Sequence, residues 1–175
     1  TESSLPPVLI GSHIDTQPFG GKFDGAYGVL ASLEVLSTLE AHNIRTLRPI
    51  EIVSWTNEEG TRFQPAILGS GVFTGKFDLD FAYSRVDRDG KSLGDELERI
   101  GFKGNAPCEP RQIHMYMEPH IEQGPVLDMK EIPIGLVEGI VGIRWLRVTV
   151  KGEANHAGTT TMNARHDAMV TSAHM

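Results

Sequence analysis

Two apolar runs, each closing on a group of ionisable residues, constrain this chain more than any other feature. Pro7-Val8-Leu9-Ile10 leads into Gly11-Ser12-His13-Ile14-Asp15, and Ile50-Glu51-Ile52-Val53-Ser54-Trp55 leads into Asn57-Glu58-Glu59-Gly60. Short runs rich in β-branched residues and bounded by turn formers read as strands buried in an α/β sheet. Open α/β sheets place their ligand crevices outside the carboxyl ends of the strands, which is where His13, Asp15, Glu58 and Glu59 fall. Taken singly, such residues have ordinary structural readings: a strand-end histidine held by a hydrogen bond, or a solvated acidic pair. Their position straight after buried strands favours function, because unpaired charge is costly there.

The intervening chain supports an α/β reading. After His13 comes a turn-rich loop, Pro18 to Gly25, and then a helix predicted from about Ala26 to Ala41. Val29, Leu30, Leu33, Leu36 and Leu39 share its apolar face at three- and four-residue spacing, and Asp24 sits near its amino end, where negative charge is favoured. Ala66 to Thr74 reads as a short helix broken by Gly69 and Gly71, and Asp78 to Gly90 as surface loop. Ser92 is placed to cap a helix from Leu93 to about Ile100, with Asp95 and Glu96 in its first turns and Gly101 as its stop. Ile113, Met115 and Met117 alternate as in a half-buried strand running into His120. A further strand is expected over Ile134 to Val141. The pattern changes near residue 142: Ile143 to Val150 reads as a long strand with mixed faces, and Met162 to the end as a helix. The expected domains are therefore 1–142 and 143–175, the second unfinished. Thr1 to Pro6 is a polar lead so close to a buried strand that the chain is expected to be a piece of a longer one.

Composition narrows the chemistry. With 175 residues, 39% of them hydrophobic, the chain can bury one core and begin a second. A net charge of −7 without a basic cluster argues against a nucleic-acid or anionic-membrane partner. The single cysteine, Cys108, excludes a disulfide framework and a thiolate zinc site; with no signal-peptide pattern at the amino end, a cytoplasmic location is expected. Cys108 has no evident base beside it and is not read as a nucleophile. Seven histidines stand out, since imidazole is the commonest side-chain metal ligand.

Two divalent ions a few ångströms apart need a bridging carboxylate with histidine or carboxylate ligands on either side. Asp24 suits the bridge, His13 and His120 would complete one site, and Glu59 would serve the other. Glu58, adjacent in sequence but differently aimed, could take a proton from a water on the metal. Asp15 is the candidate partner behind His13. His42, His114, His166 and His174 lack supporting neighbours and are read as non-catalytic, Met115 and Met117 as core, and Arg165 with Asp167 as a helix-surface or helix-docking pair.

The stretches Gly11-Ser12-His13-Ile14-Asp15-Thr16, Gly21-Lys22-Phe23-Asp24-Gly25, Thr56-Asn57-Glu58-Glu59-Gly60, His120-Ile121-Glu122-Gln123-Gly124 and His156-Ala157-Gly158-Thr159-Thr160 occur in one order. Together they resemble the hydantoinase/carbamoylase branch of the M20-type dinuclear metallohydrolases: N-carbamoyl-L-amino-acid hydrolases, β-ureidopropionases and allantoate amidohydrolases. Asp15-Thr16-Gln17-Pro18 and Asp24-Gly25-Ala26-Tyr27-Gly28 look most like the carbamoylase group. The resemblance implies a three-layer α/β catalytic domain, its central, mostly parallel sheet flanked by helices, followed by the start of a smaller α+β lid and dimerisation domain. It implies His13, Asp24, Glu59 and His120 as ligands of two divalent ions (Zn, Mn, Co or Ni), with Asp24 bridging, and Glu58 as general base. Gln123 matches a substrate-contacting position, and His156 a lid histidine that steadies the developing oxyanion, usually across a dimer interface. The implied reaction is hydrolysis of an N-carbamoyl-L-amino acid or N-carbamoyl-β-alanine to amino acid, ammonia and carbon dioxide, by a homodimer.

Two departures qualify the match. Thr161 stands where the family has proline, although threonine can cap the helix that follows. The family's last metal histidine and its lid asparagine and arginine correspond to nothing within residue 175, so the fragment alone is expected to lack full activity. The rival readings are an allantoate amidohydrolase or a peptidase-like aminoacylase on the same scaffold, and an inactive fold or dimerisation module. Retention of His13, Asp24, Glu58 and Glu59 together weighs against the module.

Overall fold

Three parallel strands carry the site. β1 (Val8–His13), β2 (Ile50–Trp55) and β3 (Met115–Met117) form a sheet in the order β2-β1-β3, in a computed structural model that describes residues 4–144 and 146–175. Val8 pairs with Ile50 on one side and Met115 on the other, and His13 with Trp55. Because both ladders are parallel, all three strands finish at the same end of the sheet. His13 is the last residue of β1, Glu58 and Glu59 follow β2, and His120 follows β3. Parallel strands need crossover connections, and here helices supply them.

The first crossover is α1 (Ala26–Ala41), with the limits its periodicity predicts, but a different face is buried. Gly28, Val29 and Ser32 are covered, whereas Leu30 and Leu33 are 64% and 50% exposed. Small residues lie on the buried face because the helix comes very near the sheet. A Cβ on Gly28 would stand 2.4 Å from the Pro119 carbonyl oxygen and 2.7 Å from Ser12 Cβ. Ser32 returns its hydroxyl to the Gly28 carbonyl, 2.7 Å away.

The second crossover folds into its own small core. α2 (Leu68–Phe73), α3 (Leu79–Tyr83) and α4 (Leu93–Arg99) bury Phe63, Leu68, Val72, Ala82 and Leu93, with Phe77, Leu79, Phe81 and Leu97 around them. α2 runs unbroken through its two glycines, since Gly69 packs on the Thr56 backbone and Gly71 on the Phe77 ring, where a Cβ would collide. α3 lies within the segment expected to be loop. Helices this short draw their stability from packing rather than from propensity, so local pattern gives little sign of them. α4 is as predicted, with Ser92 Oγ accepting from the Asp95 N–H at 3.1 Å. Another unexpected turn, α5 (Val126–Met129), has its first N–H groups held by the Glu122 carboxylate at 3.1 and 2.9 Å.

Two strands are less buried than expected. β2 lies at a sheet edge and is half-buried, and Met115, Tyr116 and Met117 of β3 are exposed; only the central β1 is covered, from Leu9 to His13. The chain divides into two compact units, Thr1–Pro133 and Ile134–Met175. Among the described residues of the second unit there is no strand, although two were expected, over 134–141 and 143–150. A strand exists through its ladder, and among the described residues no hydrogen-bonded partner runs beside either segment. That unit contains a 3-10 turn at Met162–Ala164 and α6 (Ala168–Ala173), capped by Asp167, in place of one helix from Met162 to the end. The start of the polar lead and Trp145 of the second expected strand lie outside the described residues. No described helix is long and apolar enough to cross a membrane.

Candidate metal centre

The strand ends bring four carboxylates and two imidazoles together. His13, 2% exposed, leaves β1 with its Nδ1 hydrogen on the Asp15 carbonyl oxygen at 2.8 Å. His120 repeats the arrangement, Nδ1 to the Ile121 carbonyl at 2.8 Å. A carbonyl only accepts, so each neutral ring keeps its proton on Nδ1 and presents a lone pair at Nε2. Both Nε2 atoms face Asp24 Oδ1, at 3.9 Å for His13 and 3.1 Å for His120. Ligand atoms of His13, Asp24 and His120 all lie within 4.8 Å of one another, as do those of His13, Glu58 and Glu59.

Gly25 makes the approach possible. It precedes α1 with φ of 64°, and a Cβ there would lie 2.4 to 2.5 Å from three atoms of the His13 ring. Asp24 is thereby set beside the imidazole, and its other oxygen, Oδ2, accepts from the Gln123 amide at 2.7 Å.

Glu58 and Glu59 are presented by a turn tied at several points. Asn57, at φ 54°, donates from its side chain to the carbonyls of Phe63 (2.7 Å) and Pro65 (3.2 Å). Asp15 receives the backbone N–H groups of Glu58 and Glu59 at 3.1 Å each. Its carboxylate therefore holds the acidic turn, and its main-chain carbonyl, rather than the carboxylate 3.8 Å away, takes the His13 proton. Glu58 Oε2 stands 3.6 Å from His13 Nε2. Burial raises the Glu58 carboxyl above its usual value, His13 opposes the rise, and the charges of Glu59, Asp15 and Glu118 add to it.

The fit to divalent cations rests on lone pairs. Asp24 Oδ1 and Glu59 Oε1 are buried without a hydrogen-bond partner among the described residues, and the two imidazole Nε2 atoms join Asp24 Oδ1 in an all-acceptor cluster. Buried acceptors facing one another are stable only with positive charge between them, and imidazole plus carboxylate is a donor set for first-row divalent metals.

Several contacts carry no signal in the sequence pattern. Gln17, in the Asp-Thr-Gln-Pro stretch, donates to Glu59 Oε2 at 2.8 Å and to the Glu59 carbonyl at 3.3 Å. Glu118 accepts from the Ser12 hydroxyl and, at 2.5 Å, from the Tyr116 hydroxyl, which in turn accepts the Trp55 indole N–H at 2.9 Å. His156 belongs to the second unit, where its Nδ1 accepts N–H groups from Gly158 (3.0 Å) and Thr159 (3.2 Å).

A parallel sheet with acidic and imidazole side chains gathered at its carboxyl edge defines an α/β scaffold with a candidate metal site, and comparison with known proteins gives the family. The chain belongs to peptidase family M20/M25/M40, whose profile matches residues 9–174. It is 50% identical over 168 residues to an N-carbamoyl-L-amino-acid amidohydrolase of Rhizobium meliloti, covering 96% of this chain and 40% of that protein. It is 42% identical over 171 residues to an allantoate amidohydrolase of Escherichia coli, covering 97% and 42%. Among solved structures, a hydantoinase/carbamoylase family amidase from Burkholderia ambifaria superposes with a TM-score of 0.81 at 54% identity, covering 99% of this chain and 43% of that one. The chain thus spans well under half the length of the relatives it matches.

Proposed function

We propose that this chain supplies most of the metal-binding half of an amidohydrolase that cleaves the carbamoyl C–N bond of N-carbamoyl-L-amino acids. The observation that carries this reading is the convergence of His13, Asp24 and His120 on one point, with Glu58 and Glu59 beside it and two buried oxygens without a hydrogen-bond partner among the described residues. In this reading His13 and His120 would hold one divalent ion and Glu59 a second, with the Asp24 carboxylate available to both. Zinc, manganese, cobalt or nickel suits the donor set. Such ions, when bound, polarise a carbonyl and make water acidic enough to ionise near neutral pH.

The remaining work falls to side chains. Glu58, whose carboxyl is pushed upward by burial, takes a proton from the attacking water and passes it to the departing carbamoyl nitrogen, so it leaves as neutral ammonia. Asp15 keeps Glu58 and Glu59 in register through their N–H groups. Gln123, whose amide reaches Asp24, contacts the substrate. His156 donates to the carbonyl oxygen as negative charge develops, from the partner subunit of a homodimer. Breaking that C–N bond releases ammonia and the N-carboxylated amino acid, which loses carbon dioxide to give the free amino acid. Residues 1–142 are assigned to the catalytic domain and 143–175 to the start of the lid and dimerisation domain.

The same scaffold supports a second reading, allantoate amidohydrolase, favoured by the relative of that name in Escherichia coli. The test uses the full-length protein loaded with each metal. Ammonia release is compared for N-carbamoyl-L-α-amino acids, N-carbamoyl-β-alanine, allantoate and N-acyl amino acids. Preference for a carbamoyl amino acid supports the first reading, and preference for allantoate replaces it with the second. Failure to bind any divalent ion refutes both and leaves a fold module.

A further inference from the structure

Three histidines of this chain, His13, His120 and His156, are held in two opposite senses. At His13 and His120 a main-chain carbonyl takes the Nδ1 proton, leaving Nε2 as an acceptor. At His156 the polarity is reversed. The N–H groups of Gly158 and Thr159 both point at Nδ1, from 3.0 and 3.2 Å. An amide N–H only donates, so a ring nitrogen receiving two of them has no room for its own hydrogen. The neutral imidazole then carries its proton on Nε2 and directs it outward, since His156 is exposed. The first arrangement suits a cation and the second suits an oxygen that becomes negative.

The turn that imposes this tautomer is tied by one side chain. Arg165 donates from Nε to the Thr160 carbonyl at 3.1 Å and from Nη2 to the Ala157 carbonyl at 2.5 Å. These carbonyls flank the two donating amides in sequence. With both drawn onto the planar, always-charged guanidinium, the N–H groups between them stay turned toward the ring. The Thr160 N–H closes the turn on the His156 carbonyl at 3.2 Å. Sequence alone reads Arg165 as a surface or docking residue, yet it is half-buried against this loop.

We infer that Arg165 is a positioning residue which, through the Gly158 and Thr159 amides, fixes His156 as an Nε2–H donor to the substrate oxyanion. This rests on the oxyanion role proposed for His156 above, but the tautomer can be read without turnover. In the full-length, metal-loaded protein labelled with 15N-histidine, nitrogen–proton correlation spectra distinguish the two neutral tautomers, and His156→Gln identifies the resonance. The expected result is an Nε2-protonated His156. Arg165→Met is expected to give a mixture of tautomers and lower kcat about 10- to 100-fold with KM nearly unchanged, as removal of an outer supporting partner does. Arg165→Lys, which keeps one donor arm, should recover part of both. An Nδ1-protonated His156 in the unsubstituted protein overturns the inference whatever the variants do. So does an Arg165→Met protein with the tautomer unchanged. A tautomer lost in Arg165→Met without any fall in kcat sustains the positioning by Arg165 and refutes the oxyanion role, so the two failures are separable.

Discussion

Replacing Gly25 with alanine places a methyl group against the imidazole of the metal centre. The new Cβ would stand 2.4 Å from His13 Cε1 and 2.5 Å from each ring nitrogen, where ordinary contact is 3.4 Å or more, so the ring must retreat by about 1 Å. The ring has little freedom to do so, being 2% exposed and held at Nδ1 by the Asp15 carbonyl. The residue also sits at φ +64°, which costs an L-amino acid roughly 1–2 kcal/mol. Displacement of about 1 Å exceeds the tolerance of roughly 0.5 Å within which a binding constellation works, and misplacement of that size can cost about 10²-fold. Gly25→Ala is therefore expected to weaken metal binding and turnover by about two orders of magnitude, and to lower stability by about 1–3 kcal/mol. Gly21→Ala, in the same loop, is the control: a Cβ there meets nothing within 4 Å, and the change should stay within about ±0.5 kcal/mol. Metal affinity is read by competition with a chromophoric chelator, turnover by ammonia release and stability by urea melts. A Gly25→Ala protein that binds metal as tightly as the Gly21→Ala control would refute the link between this close approach and the site.

Other changes probe separate parts of the molecule. Glu58→Gln should leave metal content near normal while kcat falls about 10²- to 10⁴-fold, the range for loss of a general base; elemental analysis with steady-state kinetics checks both halves. Asp24→Ala should lose both ions, and retention of two by mass spectrometry under native conditions would remove it as the bridge. Hydrogen bonds from Arg99 and then Arg62 depress the Glu96 carboxyl from its usual 4.5 to about 2. Its folded value lies below its unfolded one, so its contribution is fully present above 4.5 and fades as the pH falls toward 2. Glu96→Gln should flatten the acid limb of a stability profile from urea melts, and an unchanged limb would exclude this group as its source. Leu68→Ala removes the fully buried side chain at the centre of the α2–α4 core and should cost about 2–5 kcal/mol, again by urea melts, with no change in metal stoichiometry.

What the sequence determines by itself is whatever depends on neighbours a few residues away. β1 and β2 are legible because an apolar run bounded by turn formers has few alternatives, and α1 and α4 because periodicity and the Ser92 cap act over one or two turns. The nomination of His13, Asp24, Glu58, Glu59 and His120 is likewise local, since each lies at a strand end or helix start. Tertiary structure decided which face of α1 is covered, leaving Leu30 and Leu33 outside, and that the segment after Asp78 coils into α3. It also decided how the nominated groups are held. Gln17 reaches Glu59 across 42 positions, Gln123 reaches Asp24 across 99, and Ser12 reaches Glu118 across 106. Pairings of that span are set by how strands and crossovers stack, which no local window contains. The tautomers follow the same rule: histidine has one composition, and only the carbonyls or amides folded against its ring determine whether it offers a lone pair or a proton.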